Sequence, residues 1–410
     1  MKILSISAQK PGETGSGIVF GALIRAFAAQ GHEQVAVAGI AQGDQVSLPE
    51  GVPFYPVVFE TPRLPFPVVG MSDEMPYPST RYRDLTPEME DQFREGFLRV
   101  IRQAVEALEP DLILCHHLYL LTALVRSAFP DRVVSGICHN TDLRQMEKTD
   151  LERDMIRCAI RRLDHIYVLK RTQAAEVARI YRVPSERIDL IGMGYNKQIF
   201  YPRDRRKRDG KIRIIFVGKI AEKKGVFSLL RCLDHLRPLA EQLEVLMVGS
   251  AGNEEEYRRA LALAERAPAA VRFCGSRTQE ELAELYSACD IFALPSYYEG
   301  IPLTLLEALA CGTRAVVSDL PGLREWMDEF VPHADVRYVA LPEMVHTDEP
   351  AAGELTGFER RLAQALEDCI HAKGGPAADL SRVSWAGIAE TITLTRTAGA
   401  PFDNPPSACG

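Results

Sequence analysis

The feature that most constrains the fold is a recurrence of short runs of nearly continuous valine, isoleucine and leucine that alternate with helical patterns for most of the length. The first series is KILSIS (2–7), QVAVAGI (34–40), VPFYPVVF (52–59), DLILCHH (111–117), VVSGICH (133–139) and HIYVLK (165–170). The second is KIRIIFVGK (211–219), LEVLMVGS (243–250), VRFCG (271–275), DIFALPS (290–296) and RAVVSD (314–319). Runs that are apolar throughout belong to strands covered on both faces, as in parallel sheets with helical crossovers. The intervening segments supply those helices: GIVFGALIRAFAAQ (17–30), stopped by Gly31, and a long polar helix from about Thr86 to Leu108. Two such series predict two doubly wound α/β domains.

The basic stretch YPRDRRKRDGK (201–211) separates the series and reads as a solvated linker or an anionic contact. The expected domains are 1–200 and 201–383, followed by a helix at 384–399 and a disordered tail at 400–410, rich in Pro, Gly and Ser. One segment breaks the alternation. TPRLPFPVVGMSDEMPYPSTRYRDL (61–85) carries too many prolines for a helix or central strand, and too many apolar side chains for disorder. A long irregular segment of this kind either covers a ligand cleft or packs on the surface.

A net charge of −8 leaves the chain no electrostatic footprint for nucleic acid. Nine cysteines stand singly, without metal-ligand or redox spacing, and read as small buried hydrophobes. The opening MKILSISAQKPG is a strand and a turn rather than a signal peptide, and no apolar run reaches the roughly 20 residues of a membrane span. A cytoplasmic location is expected. Arg153, Arg157 and Arg161 recur every four residues on one helix face, which admits a weak peripheral membrane contact beside a plain solvated surface.

Four places carry candidate chemistry. In SYYEGIPLTLLEALACG (296–312), Glu307 stands inside an otherwise apolar helix. A buried carboxylate needs hydrogen-bond donors from protein or from a ligand, and a ribose diol would serve. Pro302 suits the first helical position, and the free N–H groups of Ile301, Leu303 and Thr304 form an anion site for pyrophosphate. Glu299, in the loop before the helix with Gly300, can face a polar ligand. In VGKIAEKKG (217–225), Lys219, Lys223 and Lys224 cluster at a strand end near a helix start and call for an anionic partner or open water. In ETGSGIVFG (13–21), Gly15, Ser16 and Gly17 form either a turn that a substrate approaches or a tight βα connection. Their spacing is not that of a dinucleotide fingerprint, and no acidic residue ends the next strand. Finally, CHNTDLR (138–144) places His139 at a strand end, where a structural and a functional role are equally open; His116 and His117 also end a strand but lack polar company. No D-x-D, G-x-S-x-G, H-E-x-x-H or Walker A pattern occurs, so no metal site is expected.

These residues resemble the retaining nucleotide-sugar glycosyltransferases of family 4, which have the GT-B fold. EGIPLTLLEALACGTRAVVSDLPG (299–322) is similar to their signature region, and IFVGKIAEKKG (215–225) to the segment whose basic pair holds the donor diphosphate. FCGSRTQEELAELYSACDIFALPS (273–296) and GMGYNKQIFYP (192–202) extend the likeness. Lys219 stands where the family usually has arginine, which keeps the charge and loses the bidentate fork. The resemblance implies α/β architecture of GT-B type, two doubly wound Rossmann-like domains facing across a cleft, with the acceptor on the first and the donor on the second. It implies that Glu307 binds the ribose, Glu299 the sugar hydroxyls, and Lys219 and Lys224 the diphosphate, aided by Gly300, Ile301, Pro302, Leu303 and Thr304. His139 would lie beside the sugar, Gly15, Ser16 and Gly17 near the diphosphate and acceptor, and Ser276 and Arg277 by the base. The helix at 384–398 would cross back onto the first domain. The donor is then a substrate, most commonly a UDP-sugar, with no cofactor implied, and the acceptor is a small molecule, a glycan or a lipid. Arg81 and Arg83 are candidates for an anionic acceptor. After RYVALP (337–342) the chain departs from the family's Pro-Gly-Asp turn, and a local insertion is expected there. Competing readings are a nucleotide-sugar epimerase on the same fold, a non-catalytic nucleotide-sugar binder, and a dinucleotide oxidoreductase, which the glycine spacing disfavours.

Overall fold

The computed structural model describes residues 1–398 apart from 74, 204–208, 252, 347–348, 352 and 374–377. The tail expected at 400–410 and the middle of the basic stretch lie outside the described residues. The chain divides into two compact units, Met1–Gly192 joined by the chain from Trp385 onward, and Met193–Ser384.

In the first unit seven strands lie in the order Phe54–Phe59, Glu33–Ala41, Lys2–Ser7, Leu112–His116, Val134–Ile137, His165–Val168, Ile188–Leu190. Every adjacent pair is parallel. Lys2–Ser7 is the pivot: Ile3 pairs with Gln34 on one side and Leu112 on the other, and Ile3, Leu4 and Ile6 are fully buried. The second unit repeats the plan with six parallel strands, in the order Ala270–Gly275, Leu243–Val248, Ile212–Val217, Ile291–Leu294, Arg314–Ser318, Val336–Val339. Here Ile214 lies between Val245 and Ile291. In each sheet the strand order reverses beside the pivot, and the crevice at the carboxyl ends there is where open α/β sheets bind ligands. In the second unit that reversal lies between the strand leading to Lys219 and the strand leading to Glu299.

The helices form for local reasons and bury the faces their spacing dictates. Helix Pro87–Leu108 begins with Thr86 accepting from the Met89 N–H (3.3 Å), Pro87 in the first turn and acids at 88 and 90. Its stripe Phe93, Phe97, Val100, Ile101, Ala104 and Leu108 is buried. The proline-rich segment 61–85 packs onto this stripe as part of the core. Leu64, Phe66, Val68, Val69, Met71, Tyr77 and Tyr82 are buried, Phe66 packs edge-on to Phe59, and Tyr82 does so to Phe93. The segment thus supplies apolar area that a short connection would not.

Helix Trp385–Ala398 belongs to the first unit and lies against helix Gly15–Ala29. Gln30 Nε2 donates to the Ala386 carbonyl (2.8 Å), the Tyr167 hydroxyl to that of Ile392 (3.3 Å), and Ile388, Ala389 and Ile392 are buried. Where the sequence departs from the family turn, Met344–His346 pairs antiparallel with Glu349–Pro350, and helix Leu355–His371 follows. Among the described residues no helix is long and apolar enough to cross a membrane.

Candidate functional site

In the second unit the strand-end loops touch backbone to backbone. The Gly218 N–H donates to the Val248 carbonyl (2.9 Å), that of Tyr297 to the Lys223 carbonyl (3.0 Å), and the turn at Gly225 meets Pro295. This brings Lys224 and Glu299 together as an ion pair, although they are 75 residues apart in sequence. Ser296 Oγ also donates to Glu299 (3.1 Å), so the carboxylate is held from two directions. Lys219 is exposed, has no carboxylate partner among the described residues, and lines a cavity of about 580 Å³ with Lys223, Asn253 and Glu256. Lys224 is thus held by Glu299, while Lys219 and Lys223 are exposed and without an ion pair among the described residues. Arg277 pairs with Glu281 (3.2 Å) and lines a separate cavity of about 340 Å³ with Phe273 and Cys274; Ser276 is exposed.

Helix Leu303–Ala310 carries Glu307, which is 8% exposed. Among the described residues its side-chain partner is the Tyr286 hydroxyl at 3.5 Å, at the limit of a hydrogen bond, and no arginine reaches it. Burial pushes its carboxyl up to about 7, only partly opposed by Tyr286. The protein leaves this carboxylate under-paired. Pro302 is the N-cap rather than the first helical residue, one position off the expectation, because its ψ of 112° is extended. Leu303 and Thr304 therefore supply the free amides of the first turn, and no side chain caps them.

In the first unit Gly15–Gly17 is the first turn of a helix whose N-cap, Thr14, accepts from the Gly17 N–H (3.1 Å). Gly17 is required by contact, since a Cβ there would lie 2.6 Å from the Lys10 carbonyl oxygen; Gly15 has no atom within 4 Å of that position. Ser16 Oγ donates to Gln9 Oε1 (2.9 Å), which fixes the hydroxyl at the mouth of the turn.

The histidines form a cluster that the sequence did not announce. Because His116 pairs with Ile137 across the sheet, His139 emerges beside it, and His116 Nδ1 lies 3.1 Å from His139 Nε2. The ring of His117 packs 4.7 Å from that of His139. Thus the lack of polar company expected for His116 is corrected by the sheet register. Burial pushes all three imidazoles down, His139 to about 3, so they are neutral. His117 and Asn140 hold φ of 72° and 74°, a left-handed conformation unfavourable for their side chains. Asp142 holds both strand ends. Fully buried, it accepts from the N–H groups of Leu118 (2.8 Å) and His139 (3.2 Å). Asp142→Ala leaves these two N–H groups and that of Leu143 without their acceptor. It is expected to destabilise the first unit by about 1–3 kcal/mol, read from chemical denaturation.

Arg81 pairs with Asp84, and Arg83 with Asp73 at 3.6 Å, both at the exposed surface. Arg153 donates to the Thr149 carbonyl (2.9 Å) and Arg157 to that of Ile180 (2.9 Å), so these two do not present an open basic face.

Residues 14–198 match the family described as Glycosyltransferase Family 4, and residues 197–338 match Glycosyl transferases group 1. Together the two matches cover residues 14–338, so the chain carries both glycosyltransferase domains. An alpha-maltose-1-phosphate synthase of Mycobacterium tuberculosis is 31% identical over 195 residues, covering 44% of this chain and 47% of that protein. A D-inositol 3-phosphate glycosyltransferase of Mycobacteroides abscessus is 29% identical over 252 residues, covering 56% and 50%. The chain spans about half the length of these curated relatives. Sucrose-phosphate synthase from Thermosynechococcus elongatus superimposes with a TM-score of 0.61 at 18% identity, over 97% of this chain and 99% of that one. HepE from Anabaena, solved with UDP and glucose, gives 0.56 at 15% identity, over 97% and 95%. These likenesses establish the fold, two Rossmann-like units of the GT-B class. The family's signature region lies on the reversal point of the second sheet, where Lys224, Glu299 and the capless helix meet.

Proposed function

We propose that this protein moves a sugar from a nucleotide-diphosphate donor, a UDP-sugar being favoured, to a hydroxyl or other nucleophile of an acceptor, with retention at the anomeric carbon. The observation that supports this most is Glu307, a buried carboxylate left with one long hydroxyl contact. A ribose diol would donate the two hydrogen bonds it lacks. On this reading Lys219, Lys224 and the amides of Leu303 and Thr304 take up the charge that builds on the diphosphate as its bond to the sugar breaks. No metal is assigned to that task. The donor enters a site where Lys224 and Glu299 hold each other; the ammonium turns to phosphate and the carboxylate to sugar hydroxyls. His139 meets the sugar, Gly15, Ser16 and Gly17 the diphosphate and acceptor, and Ser276 and Arg277 the base. The acceptor oxygen bonds to the anomeric carbon on the face the diphosphate leaves, and its proton passes to the departing phosphate oxygen.

Thermal unfolding with UDP, GDP, ADP and NAD tests the donor class. At about 100 times its dissociation constant a ligand adds roughly 2.7 kcal/mol. One nucleoside diphosphate is therefore expected to raise the melting temperature by several degrees, and NAD to leave it unchanged. A shift with NAD alone, or with none, overturns the reading. Release of nucleoside diphosphate on incubation with the matching sugar donor and an acceptor then separates a transferase from a protein that only binds.

A further inference from the structure

Two rings of the histidine cluster are joined edge to edge. His116 and His139 are 15° from parallel with centroids 5.2 Å apart, and the Nδ1–Nε2 contact of 3.1 Å is a hydrogen bond between them. The pair is neutral, so one proton lies in that bond and its owner must be decided. His116 is 2% exposed, packed edge-on against Phe20 at 5.1 Å, and its other nitrogen, Nε2, is buried without a partner. If His139 owned the shared proton, the proton of His116 would sit on Nε2, a buried donor with no acceptor. If His116 owns it, Nε2 carries only an unshared lone pair. Orphaned buried N–H groups are the rarer and costlier of the two. His117 offers no way out, since both its ring nitrogens are themselves buried and unpartnered.

We infer that His116 is a positioning residue that donates from Nδ1 to His139 Nε2 and thereby fixes His139 as the Nδ1–H tautomer, so that the half-buried ring offers its substrate a hydrogen-bond donor. The partner this selects is an oxygen acceptor, such as a hydroxyl or ring oxygen of the sugar. A hydroxyl that must give up its proton is not served, so His139 is no general base. Asp142 supports the arrangement by gripping the His139 backbone N–H, while the His139 ring packs against His117 and is hydrogen-bonded to His116. The substrate part of this inference rests on the glycosyltransferase reading; the tautomer part does not.

The test begins with the full chain labelled with ¹⁵N-histidine, in long-range proton–nitrogen spectra without ligand, the His139 signal being identified from His139→Gln. The wild type is expected to show His139 protonated at Nδ1, and His116→Phe to shift it toward the Nε2–H form. His116→Asn, whose amide N–H can stand in for Nδ1–H, is expected to restore the wild-type pattern. In turnover, His116→Phe should lower kcat about tenfold with little change in the donor KM, and His116→Asn should stay within about threefold. An Nε2–H signal for His139 in the wild type overturns the inference, as does an equal loss of kcat in both variants. Failure of the wild type to turn over any sugar donor overturns the functional reading instead, and the spectra still decide the tautomer.

Discussion

Gly225→Ala is expected to lower the melting temperature of the second unit by roughly 5–15 °C. Gly225 has a φ of +68°, and a Cβ on it would lie 1.9 Å from the Pro295 carbonyl oxygen and 2.6 Å from its carbon. The left-handed conformation costs an alanine about 1–2 kcal/mol. Forcing a methyl against a backbone carbonyl adds about 1–3 kcal/mol more, because no flexible side chain is there to give way. The structure can relieve the clash only by parting the two loops, which pulls Lys224 from Glu299 and breaks the Tyr297 to Lys223 backbone bond. Nucleotide binding should therefore fall along with stability. Gly15→Ala, with open space at its Cβ position, is the control and should melt as the wild type does. A Gly225→Ala protein that melts within a degree or so of the wild type would show that the loops do not touch as described.

That contact also explains how much of the site the sequence could reveal. The parallel sheets were legible because the central strands are apolar at nearly every position, a pattern that only double-sided burial explains. Once the strands are placed, their order sets the reversal point, and Lys219, Lys224 and Glu299 fall at strand ends on either side of it. The pairing of Lys224 with Glu299 was not legible, since it depends on the close approach at Gly225, which no local pattern encodes. The same holds for the histidines. DLILCHH and VVSGICH each read as a strand ending in histidine, but only the register of His116 with Ile137 brings the rings together. Nothing in CHNTDLR marks Asp142 as buried, and its hydrogen bond from the Leu118 N–H is a tertiary fact. The proline-rich segment was ambiguous because proline excludes regular structure without saying what replaces it. Its apolar residues, Leu64, Phe66, Val68 and Tyr82, were the signal that it packs.

Glu307→Gln is expected to make the empty protein more stable near neutral pH and its nucleotide affinity about 100-fold weaker, two effects of opposite sign from one atom change. The carboxylate is buried under a single long contact, so folding opposes its charge and raises its pKa to about 7, against about 4.5 unfolded. Below pH 4.5 both states hold the proton, and the wild type and variant should have equal stability. As the pH rises from 4.5 toward 7 the unfolded chain ionises first, and the wild type loses stability that the glutamine keeps. By pH 8 the difference reaches about 3 kcal/mol. Binding runs the other way. Hydroxyl donors to a charged acceptor are worth about 1.5–3 kcal/mol each, so losing the charge against a diol forfeits about 3 kcal/mol, or roughly 100-fold in dissociation constant. The wild-type affinity should also rise between pH 5 and 8 as Glu307 ionises, while that of the variant stays flat. Denaturation and nucleotide titration across that range, on both proteins, measure the two trends together. Parallel curves would mean that donors within the protein already satisfy the carboxylate. Diverging curves would identify a group that the fold holds at a cost and that only a bound ligand repays.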